Sequence, residues 1–87
     1  MGQEINLIQM FQQAAIEVSN KRLDNLSRET VISQLGMDSV AVMELVSYFE
    51  EKLSLRLPDE DLAKVNTVGD LCSLIERLLP PGTKVAA

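Results

Sequence analysis

The sequence contains no histidine, no tryptophan, one cysteine and three aromatic residues in 87 positions. Without histidine a Ser-His-Asp relay is impossible, and the commonest metal ligand is missing. No Gly-rich phosphate loop and no cysteine-based metal spacing is present. These gaps together argue against an enzyme. A lone cysteine, Cys72, excludes an internal disulfide and suits a reducing compartment. No apolar run approaches the roughly 18 residues of a membrane span. The N-terminus lacks the basic-then-apolar pattern of a signal peptide. The expected location is the cytoplasm. With only Phe11, Phe49 and Tyr48 as aromatics, the core must be built from Leu, Ile, Val and Met.

What is present suffices for a small globule. The chain is 46% apolar, which is enough for a core at this length, and 87 residues make one domain. Its net charge of −5 is unevenly spread. Residues 38 to 61 hold seven acids (Asp38, Glu44, Glu50, Glu51, Asp59, Glu60, Asp61) against two bases, Lys52 and Arg56. The remainder is neutral, with six of each. A charge run is usually just a solvated face, but a local negative field also steers basic partners. Nucleic-acid binding, which needs a basic footprint, is disfavoured.

Periodicity predicts helices throughout. Over 4–19, Leu7, Phe11, Ala14 and Val18 form a core stripe with Ile8 and Ala15 beside it, leaving Ile5 and Ile16 on the polar side. Residues 20–38 form a long connection, expected to pack through Leu23, Leu26, Val31, Ile32 and Leu35, with Ser27 and Thr30 able to start a short helical turn. A second helix follows over 39–53. Ser54-Leu55-Arg56-Leu57 reads as extended, and Pro58 or Asp59 opens a brief third helix to about Lys64, anchored by Leu62 and Val65. Acids in its first turn suit the helix dipole. Thr67-Val68-Gly69-Asp70 has the form of a capping box with Asp for Glu. The fourth helix then runs to about Leu79, with Val68, Leu71, Cys72, Ile75 and Leu79 inward. Pro80-Pro81-Gly82 ends it. The expected fold is all-α: a small four-helix bundle of three main helices plus a short third helix, with a long loop between helices 1 and 2. The helical core spans about 5–79, and 80–87 is a tail or linker stub.

The stretch Leu35-Gly36-Met37-Asp38-Ser39-Val40 places one serine at a loop-to-helix junction. Gly36 can adopt angles closed to other residues. Asp38 and Ser39 are both good helix caps, and capping is the plain explanation of either. At about 100° per residue, Val42, Leu45, Val46, Phe49 and Leu53 gather on one face of the second helix. Val40, Met43, Glu44, Ser47 and Glu51 gather on the other. Apolar residues among acids beside an exposed serine suggest a docking surface.

That junction, with Glu44-Leu45-Val46, Glu50-Glu51, Leu57-Pro58-Asp59-Glu60 and Thr67-Val68-Gly69-Asp70-Leu71 at their spacing, resembles an acyl carrier protein over roughly residues 5 to 79. The resemblance implies that Ser39 receives a 4′-phosphopantetheine arm from coenzyme A, whose thiol then holds an acyl group as a thioester. A phosphopantetheinyl transferase would be the first partner and would supply the base, since nothing here can activate Ser39. Acyltransferase, ketosynthase or other pathway enzymes with basic patches would follow. Residues 1–87 would form a single carrier domain, non-catalytic and monomeric. Asp38 matches the flanking aspartate. Val40, Met43, Glu44, Ser47, Glu50, Glu51, Asp59 and Glu60 would serve partner recognition. Leu45, Phe49 and Leu62 could line an acyl-chain pocket. Many fatty-acid carriers have acids where this chain has Ser33, Gln34 and Ala41, so a polyketide or other specialised pathway is the expected setting. Two alternatives stand beside this: an aminoacyl or peptidyl carrier of a non-ribosomal pathway, disfavoured by Asp38 and the acidic second helix, and a helical adaptor without a prosthetic group.

Overall fold

A computed structural model describes residues 6–80, 82 and 83 of the chain. The expected start of the first helix at residues 4 and 5, Ile5 included, lies outside them, as does most of the tail. The described residues form four α-helices and one 3-10 turn. Helix α1 is Leu7–Ser19, α2 is Ser39–Leu53, α3 is Asp59–Leu62 and α4 is Val68–Leu78, with the 3-10 turn at Ile32–Leu35. The all-α bundle with a short third helix and a long first connection is therefore as the periodicity requires.

Side-chain chemistry sets the helix ends. Asn6 caps α1, its carbonyl oxygen accepting from Gln9 N at 3.0 Å. Asn20 closes α1 in the left-handed region, which asparagine tolerates better than most residues. Ser54 closes α2 in the same way (φ 52), which corrects the extended reading of that residue. Its amide bonds to the Glu50 carbonyl. Helix α3 is one turn, shorter than expected, and none of its residues is buried. The capping box is complete: Thr67 Oγ1 accepts from Asp70 N, and Asp70 Oδ2 accepts from Thr67 N, each at 3.0 Å.

The buried residues are nearly all aliphatic. Leu7, Phe11, Ala14 and Ala15 of α1 meet Ala41, Leu45, Val46 and Phe49 of α2 and Val68, Leu71, Cys72, Leu74 and Ile75 of α4. The rings of Phe11 and Phe49 lie 6.2 Å apart at the α1–α2 contact. Val18, Val42, Leu53, Leu62, Val65 and Leu79 are only partly buried, at the edges of that core. Two buried helical residues, Ala41 and Leu74, lie outside the stripes that the periodicity predicts. Ala41 lies four positions before Leu45 and so on the same face. Leu74 sits about 60° beyond Leu71, so the buried arc of α4 is wider than a narrow stripe.

The long connection is fastened to the start of α4. Val31 and Thr67 form an antiparallel bridge, Ile32 N donates to Asn66 O, Val68 N to Thr30 O and Gly69 N to Arg28 O. At Gly69 an added Cβ would come within 2.7 Å of the Arg28 carbonyl oxygen, so glycine there permits the close approach. The turn at Ser27–Thr30 is present, and the helical stretch begins at Ile32 instead. Arg28 also reaches Glu76 at 3.3 Å, a half-exposed pair of small energetic weight.

This clasp carries a pH dependence. Amide hydrogen bonds from Thr67 and then Asn66 hold the Asp70 carboxyl below its ordinary value. A depressed folded-state value stabilises the native state above the usual aspartate range, near 3.9, and that contribution is lost as pH falls through the depressed value. Asp70→Asn is therefore expected to lessen the fall of denaturant midpoint with acid below about pH 4, measured by urea titration across pH.

Candidate functional site

The chain reaches the start of α2 through Ile32, which is buried, and Gly36, which is left-handed at φ 76. Met37 then turns inward. These anchors bring Asp38 and Ser39 to the surface. Asp38 is the N-cap: its Oδ1 accepts from Ala41 N at 2.8 Å. The cap is thus filled by the aspartate. Ser39, the first helical residue, is exposed, and among the described residues its hydroxyl makes no hydrogen bond.

A cleft of about 600 Å³ opens beside Ser39. Its walls come from the 3-10 turn, α2, α3 and the first turn of α4, and include Ile32, Met37, Val42, Leu45, Leu62 and Leu71. The lining is mainly apolar, with Ser39, Met43 and Asp59 also on it. Leu45 and Leu62 line it. Phe49 does not: it is fully buried against Phe11, between α2 and α1. The helical wheel groups Leu45 with Phe49, but Leu45 lines the cleft while Phe49 packs against Phe11 of α1. Ile32 and Met37 come to the cleft from the long connection, where no periodicity could signal them.

Val40 and Met43 are 66% and 53% exposed. Glu44, Ser47 and Glu51 are exposed along the same helix, and Asp59 and Glu60 are exposed on α3. Glu50 differs. It is half-buried, and its carboxylate accepts from Leu57 N at 2.8 Å. Lys52, the single base of α2, stands 5.4 Å from the Tyr48 ring centre, a cation–π distance. Ala41, between Val40 and Val42 on the first turn, is buried.

Among the described residues, no group of His, Cys, Asp or Glu could hold a metal ion, and no helix is long and apolar enough to cross a membrane. Cys72 is fully buried in α4, and burial pushes its thiol up from the ordinary range. The native thiol is expected to react with an aromatic disulfide reagent at least about tenfold slower than the same chain in denaturant, followed by absorbance.

The model of the family described as "Phosphopantetheine attachment site" matches residues 7–75. An acyl carrier protein of Wolinella succinogenes is 36% identical over 67 residues, 76% of this chain and 88% of that one. A meromycolate extension acyl carrier protein of Mycolicibacterium aurum is 34% identical over 59 residues, 68% of this chain and 61% of that one. The crystal structure of an acyl carrier protein from Thermotoga maritima superposes with a TM-score of 0.76 at 35% identity, covering 82% of this chain and 84% of that one. With matches that span the helices, the cleft and the Asp38-Ser39 junction alike, this chain belongs to the acyl carrier protein family, whose members are non-catalytic carriers.

Proposed function

We propose that Ser39 is the attachment point of a 4′-phosphopantetheine arm, and that the chain presents acyl groups on it to the enzymes of a polyketide or fatty-acid-type pathway. The observation that carries this is the division of labour at the junction. Asp38 fills the helix cap, so the Ser39 hydroxyl stands exposed and without a hydrogen bond among the described residues, at the rim of an apolar cleft. That setting fits a covalent arm with an apolar cargo. The bound arm would contribute a terminal thiol able to carry an acyl group as a thioester.

The chain's own residues do the rest. Ser39 Oγ attacks the pantetheine-side phosphorus of coenzyme A, the pyrophosphate P–O bond breaks to release adenosine 3′,5′-bisphosphate, and the transferase takes the hydroxyl proton, because this chain has no histidine to do so. Val40 and Met43 offer apolar contact, and Glu44, Glu51, Asp59 and Glu60 offer negative charge to basic patches on partner enzymes. Such rim charges act mostly on encounter rate. Leu45, Leu62 and the apolar walls around them receive the acyl chain. Tethering raises the effective concentration of the cargo at each partner. Ser33 and Gln34, both exposed, stand where many fatty-acid carriers have acids, which favours a dedicated pathway. Ala41, where many of them also have an acid, points the same way.

The test is intact mass after incubation of the apo chain with coenzyme A and a broad-specificity phosphopantetheinyl transferase. A gain of one phosphopantetheine, located by fragmentation on Ser39, is the expected result. A well-folded chain that gains nothing with two different transferases would instead favour an adaptor.

A further inference from the structure

Helix α3 forms a wall of the cleft through Asp59, Leu62 and Ala63, yet little of its own holds it there. It is four residues long, no side chain caps it, and none of its residues is buried. Beyond the partial packing of Leu62 at the edge of the core, its position rests on where the chain enters and leaves it.

Both points are tied by a carboxylate. On the exit side, Asp70 Oδ2 accepts from the amides of Asn66 and Thr67, each at 3.0 Å. On the entry side, Glu50 gathers the turn between α2 and α3. Its backbone carbonyl accepts from the amides of Ser54 and Leu55, and its carboxylate accepts from Leu57 N at 2.8 Å. Leu57 is buried, and the next residue, Pro58, is the N-cap of α3, its carbonyl accepting from Asp61 N and Leu62 N. The path from Glu50 to the cleft wall at Asp59 is thus one hydrogen bond and two peptide units long.

We propose that Glu50 is a positioning residue for α3. Its carboxylate acts through the Leu57 amide to set where α3 stands at the cleft beside Ser39, and it is not a charge held out to partners. Glu51, the exposed neighbour, keeps that second role. The two adjacent acids divide because consecutive helix positions point about 100° apart: Glu51 faces solvent on the side of Glu44 and Ser47, and Glu50 faces the returning chain. The consequence for an acyl chain rests on the carrier reading. The hydrogen bond and its effect on α3 do not.

Two substitutions separate reach from charge. Glu50→Gln removes the charge and keeps an oxygen at the same distance. Glu50→Asp keeps the charge and draws it back by about 1.5 Å, beyond reach of Leu57 N. Glu50→Ala removes both. The measurement is amide hydrogen exchange at Leu57, together with the amide resonances of residues 59–65, on the isotopically labelled apo chain. Exchange at Leu57 is expected to quicken about tenfold or more in Glu50→Ala and Glu50→Asp, with displaced resonances across 59–65, and Glu50→Gln is expected to restore most of both. The opposite pattern, with Asp like wild type and Gln like Ala, would overturn the proposal in favour of a simple charge. Unchanged exchange at Leu57 in all three would overturn it as well. If Glu50→Ala does not fold, the Gln and Asp pair decides. No coenzyme A or transferase enters this measurement, so its failure would leave the assignment of Ser39 untouched, and failure to load Ser39 would leave this result standing.

Discussion

Ser39→Ala is expected to lose all mass gain with coenzyme A and transferase while the fold stays within about 0.5 kcal/mol of wild type. The separation follows from who caps α2. Had Ser39 been the cap, its removal would cost roughly 0.5–2 kcal/mol, and lost loading could be blamed on a frayed helix. The cap is Asp38, through its bond to Ala41 N. Alanine at the first helical position is a good helix former, and the serine hydroxyl it removes has no partner among the described residues. Asp38→Ala supplies the converse. It is expected to lower stability by about 1 kcal/mol through the lost cap, yet to retain some loading, because the nucleophile remains. Denaturant titration and intact mass on the two variants give a crossed result: one stable and never loaded, the other weakened and partly loaded. Equal destabilisation of the two would contradict the assignment of the cap. Loading of Ser39→Ala would move the attachment elsewhere.

Phe49→Ala is expected to be the most damaging of the changes considered for stability, by about 3–5 kcal/mol. The ring is fully buried and meets Phe11 at 6.2 Å and Tyr48 at 6.2 Å. With only three aromatic side chains in the chain, removing one leaves a void that the aliphatic neighbours fill incompletely. Domains have total stabilities of about 5–15 kcal/mol, and the fraction of surface buried is low at this size. The melting temperature should drop by on the order of 20 °C or more, and expression of the variant should suffer. Leu62→Ala tests the contrasting position. Leu62 is half-buried on the short α3 at the cleft, so its truncation should cost much less and alter the cleft instead. Calorimetry on both variants distinguishes the two roles. Similar losses would mean that the α1–α2 contact is not the main anchor.

The fold was largely legible in the sequence because helical order is local. A 3.6-residue period, the Thr67–Asp70 box and Pro58 each act within a few positions. From them come four helices, the short third one and the inward face of α2. The family was legible for another reason: Asp38-Ser39 between Leu35-Gly36 and Glu44-Leu45-Val46 is an ordered set at fixed spacing, and the matched region runs through all of it. What stayed hidden required two segments to meet. Which of two candidate residues caps α2 depends on backbone angles at the junction, and both side chains have the chemistry. That Phe49 faces α1 while Leu45 borders the cleft depends on where α1 and α3 lie across α2, since the two residues share one face of the wheel. Glu50 and Glu51 are the same amino acid in sequence. Only the return of the chain past Ser54 places a backbone amide within 2.8 Å of the first and leaves the second in water. Local periodicity thus determined the helices, and an ordered motif the family. The docking of loops and helices, which joins residues far apart in the chain, decided what each neighbouring side chain does.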